Sequence, residues 1–471
     1  MAKKLKVLFV SSEVVPFAKT GGLADVAGAL PLSLNKLGVD ARIILPKYRG
    51  IEIAGNKDMI NKEVPVYLIE NSRYYDREYL YSKPDGDYPD NLERFAFFCR
   101  ETLKLIKQEN FKPDIIHCND WQTALIPVYL KTIYSHDEFF KNTKTVFTIH
   151  NLAYQGLFDE KEWETTGLPR ELCNIDGLEY YGKINLMKGA LLFSDFITTV
   201  SSNYIKEIQT EEYGFGMEGV LKSRIDTLTG IINGIDYAIW NPEKDTKIPQ
   251  NYQIKTLDKK SINKQYLQTE TNMAIGRDIP LIGAVGRLTD QKGWDLIAEV
   301  IDEICQRELQ MVILGTGEKE YQELMDEIGR KYPLKTSINL KFDAALAQKI
   351  YASCDMFLMP SKFEPCGLGQ LISYRYGTVP IARATGGLKD TITDLTEDPV
   401  HGTGFLFEKY NSRELLNTID RALELYKNRR AWRNLQKKIM KIDYSWQHSA
   451  KEYLLLYKNV TKSLKSPVDV R

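Results

Sequence analysis

Along the chain, short runs of consecutive apolar residues alternate with longer stretches whose apolar positions recur every three or four residues. Lys6–Val10 (KVLFV) is one such run, LADVAGALPLSLNKLG beyond it has helical spacing, and ARIILP is a second run. A strand buried on both faces needs a continuous apolar run, and a helix between two such strands is the βαβ unit of a parallel sheet. PDIIHC, KTVFTIH and DFITTVS predict three further buried strands. The rhythm pauses after Asn233–Pro242 (NGIDYAIWNP), in a polar, lysine-rich connector reaching Arg277. It then restarts, with PLIGAVGRL, MVILGTG, DMFLMPS and TVPIARATGG as strands and WDLIAEVIDEIC and YQELMDEIGRKY as helices. Two βαβ sets predict an α/β protein of two doubly wound domains, in which ligands bind beyond the carboxyl ends of the strands. The tyrosine-rich segment Arg73–Tyr88 (RYYDREYLYSKPDGDY) breaks the pattern and is expected as a surface excursion.

Composition narrows the classes of partner. The 471 residues include 63 basic and 63 acidic side chains. That balance excludes a broadly basic surface for nucleic acid or an acidic membrane, while leaving room for a local basic pocket. No apolar stretch approaches the roughly 18 residues of a bilayer span. The apolar run after MAKKL stops at Ser11, Ser12 and Glu13, so it is expected to be a first strand and not a signal peptide. Six scattered cysteines without a CxxC pair exclude a zinc ribbon or disulfide scaffold and point to a reducing, cytoplasmic setting.

Several strand ends carry candidate chemistry. KTGGLADV, from Lys19, places paired glycines between the first strand and the first helix, where free N–H groups suit a phosphate or sugar oxygen. It is neither a Walker loop nor GxGxxG. GTGEKE at Gly315–Glu320 lacks the third glycine of a dinucleotide fingerprint and is expected to be a structural turn. Arg287 and Lys292, in GRLTDQKG, either clamp a diphosphate, a planar fork beside a point charge, or form a solvated basic turn. Glu364, in SKFEPCGLGQL, is a carboxylate in a turn constrained by Pro365 and Gly367. Cys366 lacks an activating partner and reads as a buried, inert thiol. His150 (TIHNLAYQG) and His117 (IIHCNDW, followed by Asp120 and Trp121) end strands, where a histidine either reaches a ligand or simply bonds the scaffold.

Taken together, KTGGLADV, HNLAYQG, NGID…WNP, GRLTDQKG, PSKFEPCGLGQL and the closing DYSWQHSAKEYLLLY resemble, in order and spacing, the bacterial glycogen synthases and plant starch synthases, from Val7 to about Tyr457. The resemblance implies two facing Rossmann-like domains with a cleft between them, the glycosyltransferase B architecture. Residues 1–240 would form the acceptor-side domain, completed by a returning helix at 447–471, and 241–446 the donor-side domain. It implies retaining transfer of glucose from ADP-glucose to the non-reducing 4-OH of an α-1,4-glucan, such as glycogen, with no metal and no PLP. By this likeness Lys19, Gly21, Gly22 and Asp25 match the glycine loop facing the donor, and Arg287 and Lys292 the pair neutralising the diphosphate. Glu364, Cys366, Gly367 and Leu368 match the acidic turn beside the transferred glucose. His150 and Asn151 match a sugar-facing strand end, Asp120 the acid of an HDW motif, Asn233 a hinge asparagine, and Phe342 an aromatic position against adenine.

Three departures matter. Asn119–Asp120 stands where HDW is common; Gly369 replaces a frequent threonine, removing a hydroxyl contact to phosphate; and Ile372 occupies the place of a second glutamate found in related families. A double-carboxylate scheme therefore cannot be built from this turn, and front-face substitution is the expected route to retention. The tyrosines of Arg73–Tyr88 either stack on a glucan or are ordinary loop residues. UDP-glucose as donor and a non-catalytic glucan-binding role remain the alternatives to the main reading.

Overall fold

The computed structural model describes residues 4–53, 55–83 and 86–462. The chain divides into two compact units, one running to Gly234 and resuming at Trp446, the other spanning Ile235–Ser445.

The first unit is built on an eight-stranded sheet. Its spatial order is Leu228–Gly230, Phe196–Thr199, Lys144–Ile149, Ile115–Asn119, Lys6–Val10, Asp40–Pro46, Val64–Ile69 and Lys57–Ile60. Only the last pairing is antiparallel. Val7, Leu8 and Val10 are fully buried, as the unbroken apolar run requires. The closing helix Trp446–Lys462 returns to this core, burying Trp446, Ala450, Tyr453, Tyr457 and Val460. Residues 463–471 of the expected returning helix lie outside the described residues.

The second unit is a six-stranded, all-parallel sheet ordered Thr336–Leu340, Gln310–Gly315, Leu281–Val285, Met356–Met359, Val379–Arg383 and Phe405–Phe407. The junction falls before Ile235, not after residue 240. Ile235 bonds Tyr444 and bridges Ser445, and the Trp240 ring packs edge-on against Tyr351, so this stretch is held by the second unit. Trp446, conversely, is buried in the first unit's core.

Two stretches fold differently from their sequence reading. The lysine-rich connector contains a helix, Lys260–Glu270, with Lys260 and Lys264 buried. Lys260 Nζ donates to the carbonyls of Tyr351 and Ala352 and to Thr378 Oγ1, and Lys264 Nζ to Arg277 O, Asp355 Oδ2 and Tyr426 Oη. Their ammonium groups replace water by internal acceptors, which is what burial of a lysine demands. The tyrosine excursion is likewise not a display of free rings. Tyr74, Tyr75 and Tyr88 are buried, and of the tyrosines proposed for stacking only Tyr79 is exposed, which removes Tyr74 and Tyr75 as glucan platforms. Pro84 and Asp85 of this segment lie outside the described residues.

Candidate active site

In the second unit, three loops meet at the carboxyl ends of three adjacent strands. After Leu281–Val285, the chain turns through Arg287 and Lys292. Gly293 adopts φ +72°, and a side chain there would sit 2.1 Å from the Pro360 carbonyl. That close approach seats the basic loop on the turn following Met356–Met359. Gln291 completes the join, donating to Phe363 O at 3.1 Å and accepting from Lys362 N at 2.9 Å.

Lys292 Nζ consequently lies 2.6 Å from Glu364 Oε2, which also accepts from Ser361 Oγ at 3.0 Å. Glu364 is buried. Arg287 is steadied at both ends: its carbonyl accepts from Trp294 Nε1 at 2.8 Å, and its guanidinium reaches Gln291 Oε1 at 3.5 Å. The third loop follows Val379–Arg383. Gly387 N–H donates to the Glu364 and Pro365 carbonyls, and a Cβ at Gly386 or Gly387 would lie 2.0 Å from the Glu364 or Cys366 carbonyl oxygen. Cys366 is buried, Gly367 has φ +73°, and Gln370 Nε2 ties down the carbonyls of both. Leu368 follows as N-cap of the helix Gly369–Arg375. A Cβ at Gly369 would lie 2.8 Å from the Phe357 ring, so glycine suits the packing at this departure from the family pattern. Ile372 is buried. GTGEKE is a packing turn: Gly315 and Gly317 press against the carbonyls of Gly286 and Leu288. Phe342 lies beyond the edge strand Thr336–Leu340, 79% exposed.

In the first unit, the glycine loop precedes the helix Gly22–Lys36. Lys19 Nζ pairs with Asp25 Oδ1 at 2.7 Å. Glu13, buried directly after the first strand, holds the loop from beneath: its carboxylate accepts from the N–H of Thr20 and, at 3.1 Å, of Gly21. Just past the neighbouring strand Ile115–Asn119, Asp120 adopts φ +54° and accepts from His150 N at 2.8 Å. Its burial, with Glu13 nearby, raises its pKa to about 7, against the pull of the His150 and Asn151 amides. His150 Nε2 bonds Asn119 Oδ1 at 2.9 Å, and burial depresses its pKa to about 3, so the ring is neutral with Nδ1 as an acceptor. Asn151 Oδ1 accepts from Ala153 N at 3.1 Å. His117 is a scaffold histidine, bonded to Tyr457 Oη at 2.6 Å and Thr148 Oγ1 at 2.5 Å. Asn233 is buried, and its Oδ1 has no hydrogen-bond partner among the described residues.

Residues 6–223 match the family model for the starch synthase catalytic domain, and residues 272–439 that for glycosyl transferases group 1. A glycogen synthase of Geobacter sulfurreducens is 49% identical over 96% of this chain and 98% of its own length. The chain belongs to the glycogen synthase family. The solved catalytic domain of starch synthase IV from Arabidopsis thaliana is 33% identical, with a TM-score of 0.90 over 98% of this chain and 100% of that one. A sucrose-phosphate synthase from Thermosynechococcus elongatus, 16% identical with TM-score 0.64 over 98% and 100% of the two chains, shares the fold alone. This synthase is thus a glucosyltransferase of glycosyltransferase B architecture, not a non-catalytic binding protein.

Two features of the synthase escaped sequence reading. Glu13 carries no local signal because the amides it holds lie seven and eight residues downstream. The second glycine pair, at the end of the TVPIARATGG strand, does carry a signal: Thr20-Gly21-Gly22-Leu23 and Thr385-Gly386-Gly387-Leu388 repeat one tetrapeptide, each opening a helix after a strand. That repeat was the available signal.

Proposed function

We propose that the protein elongates an α-1,4-glucan by retaining transfer of glucose from ADP-glucose to the non-reducing 4-OH, releasing ADP. The observation that carries this reading is the Lys292–Glu364 contact of 2.6 Å beside Arg287, at the ends of adjacent parallel strands. The starch synthase IV catalytic domain, solved bound to ADP and acarbose, supports a nucleotide and glucan pair here. In our reading Arg287 and Lys292 take the charge that builds on the departing diphosphate, which lowers the barrier more than it tightens ground-state binding. Glu364 and neutral His150 hold sugar hydroxyls, Asp120 orients the His150–Asn151 strand end, and Lys19 with the glycine loop serves the donor. Asn233, Phe342 and the Cys366–Gly369 turn complete donor recognition. With Ile372 where a second carboxylate would stand, a departing phosphate oxygen takes the acceptor proton on the same face. No metal or other cofactor has a role in this scheme.

We also place the reaction in the cytoplasm. None of the six cysteines is joined in a disulfide, which supports a reducing compartment. The test is radiolabelled glucose transfer to glycogen from ADP-glucose and from UDP-glucose, in the native protein and in Lys292→Ala. We expect preference for ADP-glucose and a loss of about 10²- to 10³-fold in the variant, the usual effect of deleting one charge-stabilising donor. Equal rates in the two proteins would remove the clamp from the mechanism, and preference for UDP-glucose would overturn the donor assignment.

A further inference from the structure

We propose that Glu13 is a positioning residue for the glycine loop, and that the tyrosine-rich excursion exists to brace it through Tyr81. Glu13 is 4% exposed, just past the carboxyl end of the strand Lys6–Val10, and forms no ion pair among the described residues. Its two oxygens divide the work. Oε2 accepts the N–H groups of Thr20 and Gly21; Oε1 accepts Thr20 Oγ1 at 2.6 Å and Tyr81 Oη at 2.9 Å. Four donors on one carboxylate satisfy its charge without a counter-ion and fix the direction of the loop.

Tyr81 is itself immobilised. Asn91 Nδ2 donates to the Tyr81 carbonyl at 3.0 Å, and the buried Arg94 guanidinium donates to the carbonyls of Leu80 and Tyr74, both at 2.9 Å. Its hydroxyl also shares a hydrogen bond with Ser12 Oγ at 2.7 Å. Burial and the adjacent Glu13 hold the Tyr81 phenol well above its ordinary pKa, so it remains a donor across the working range. The result is a relay from Arg94 through Asn91, Tyr81 and Glu13 to Thr20 and Gly21. It explains why the excursion's tyrosines are mostly buried instead of displayed. Glu13 engages Thr20 and Gly21 and not Gly22, so the first helical amide stays clear of the carboxylate.

The inference rests on the proposed donor role of the glycine loop, and the experiment separates the two. Donor and glycogen are each varied in initial-rate assays of Glu13→Ala, Glu13→Gln, Tyr81→Phe and Lys19→Ala, with thermal unfolding in parallel. Glu13→Ala frees the loop, and a misplacement of about 1 Å costs on the order of 100-fold in kcat/KM for the donor. Glu13→Gln retains an oxygen for the two amides while the Thr20 and Tyr81 hydroxyls rotate to accept from its NH2, so it should recover all but about 10-fold of that loss. Tyr81→Phe, which keeps the ring, should lower the donor kcat/KM by a few-fold with unchanged KM for glycogen and a near-native melting point. Native donor kinetics in Glu13→Ala or Tyr81→Phe, or failure of Glu13→Gln to rescue, would overturn the positioning role. If those two variants are native-like while Lys19→Ala is impaired, only the positioning role falls. If Lys19→Ala is inert, the donor reading of the loop falls, and this inference with it.

Discussion

Three desolvated titratable groups on or just beyond two inner strands, Ile115–Asn119 and Lys144–Ile149, give the first unit a pH response whose sign can be worked out. His117 and His150 are held by burial at pKa values of about 3, well below the ordinary 6.5. In the native state both stay neutral, while in the unfolded chain both take up a proton below pH 6.5. Stability from each is fully present above that pH and is lost on acidification at about 1.4 kcal/mol per pH unit, down to the folded pKa. Asp120 acts in the opposite sense. Its folded pKa of about 7 lies above the ordinary 3.8, so between these values the native state holds a proton that the unfolded chain has released. Its contribution is therefore present below pH 4 and lost as pH rises to 7, again at about 1.4 kcal/mol per unit. Between pH 4.5 and 6 the three groups sum to a net loss of about 1.4 kcal/mol per unit of acidification, two histidines against one aspartate. Asp120→Asn keeps an oxygen for the His150 amide and removes the opposing titration, so the loss should double to about 2.8 kcal/mol per unit. The assay is urea unfolding at half-unit intervals, with hydrogen exchange of the strands Ile115–Asn119 and Lys144–Ile149 isolating the first unit. A variant whose stability runs parallel to the native protein across this range would refute the account of Asp120.

Two further outcomes follow from buried polar contacts. Tyr457→Phe leaves His117 Nδ1 without the hydroxyl it meets at 2.6 Å, and should cost about 1–3 kcal/mol of first-unit stability in the same unfolding assay. Lys264→Met strands the Asp355 carboxylate, 2.7 Å from the lost ammonium, and should destabilise the second unit by about 3–5 kcal/mol in chemical denaturation; Lys264→Met with Asp355→Asn should restore most of it.

Much of the scaffold was legible because a strand covered on both faces must be written almost wholly in apolar letters. KVLFV coincides with Lys6–Val10, and every strand expected in the second half appears. The helix Lys260–Glu270 was illegible for the complementary reason: lysines four residues apart normally mark a solvated face, and only the folded acceptors reveal them as buried. The excursion failed similarly, since Tyr75 looks like a surface ring until its hydroxyl is seen donating to the Arg94 carbonyl. At the site, Arg287, Lys292 and Glu364 stood out because glycine and proline punctuate their turns. Glu13 did not, because a carboxylate serving backbone amides leaves no spacing signature.

The closing helix has a consequence for how the protein is made. The core that holds Tyr453 and Tyr457 is complete only when residues from both ends of the chain are present. On the ribosome, the sheet of the first unit is synthesised early but must wait for the entire second unit before its last layer emerges. Until then the surface that will receive Trp446, Ala450 and Tyr457 is open and apolar. The second unit, by contrast, is one uninterrupted stretch. The first unit is thus the later of the two to be completed.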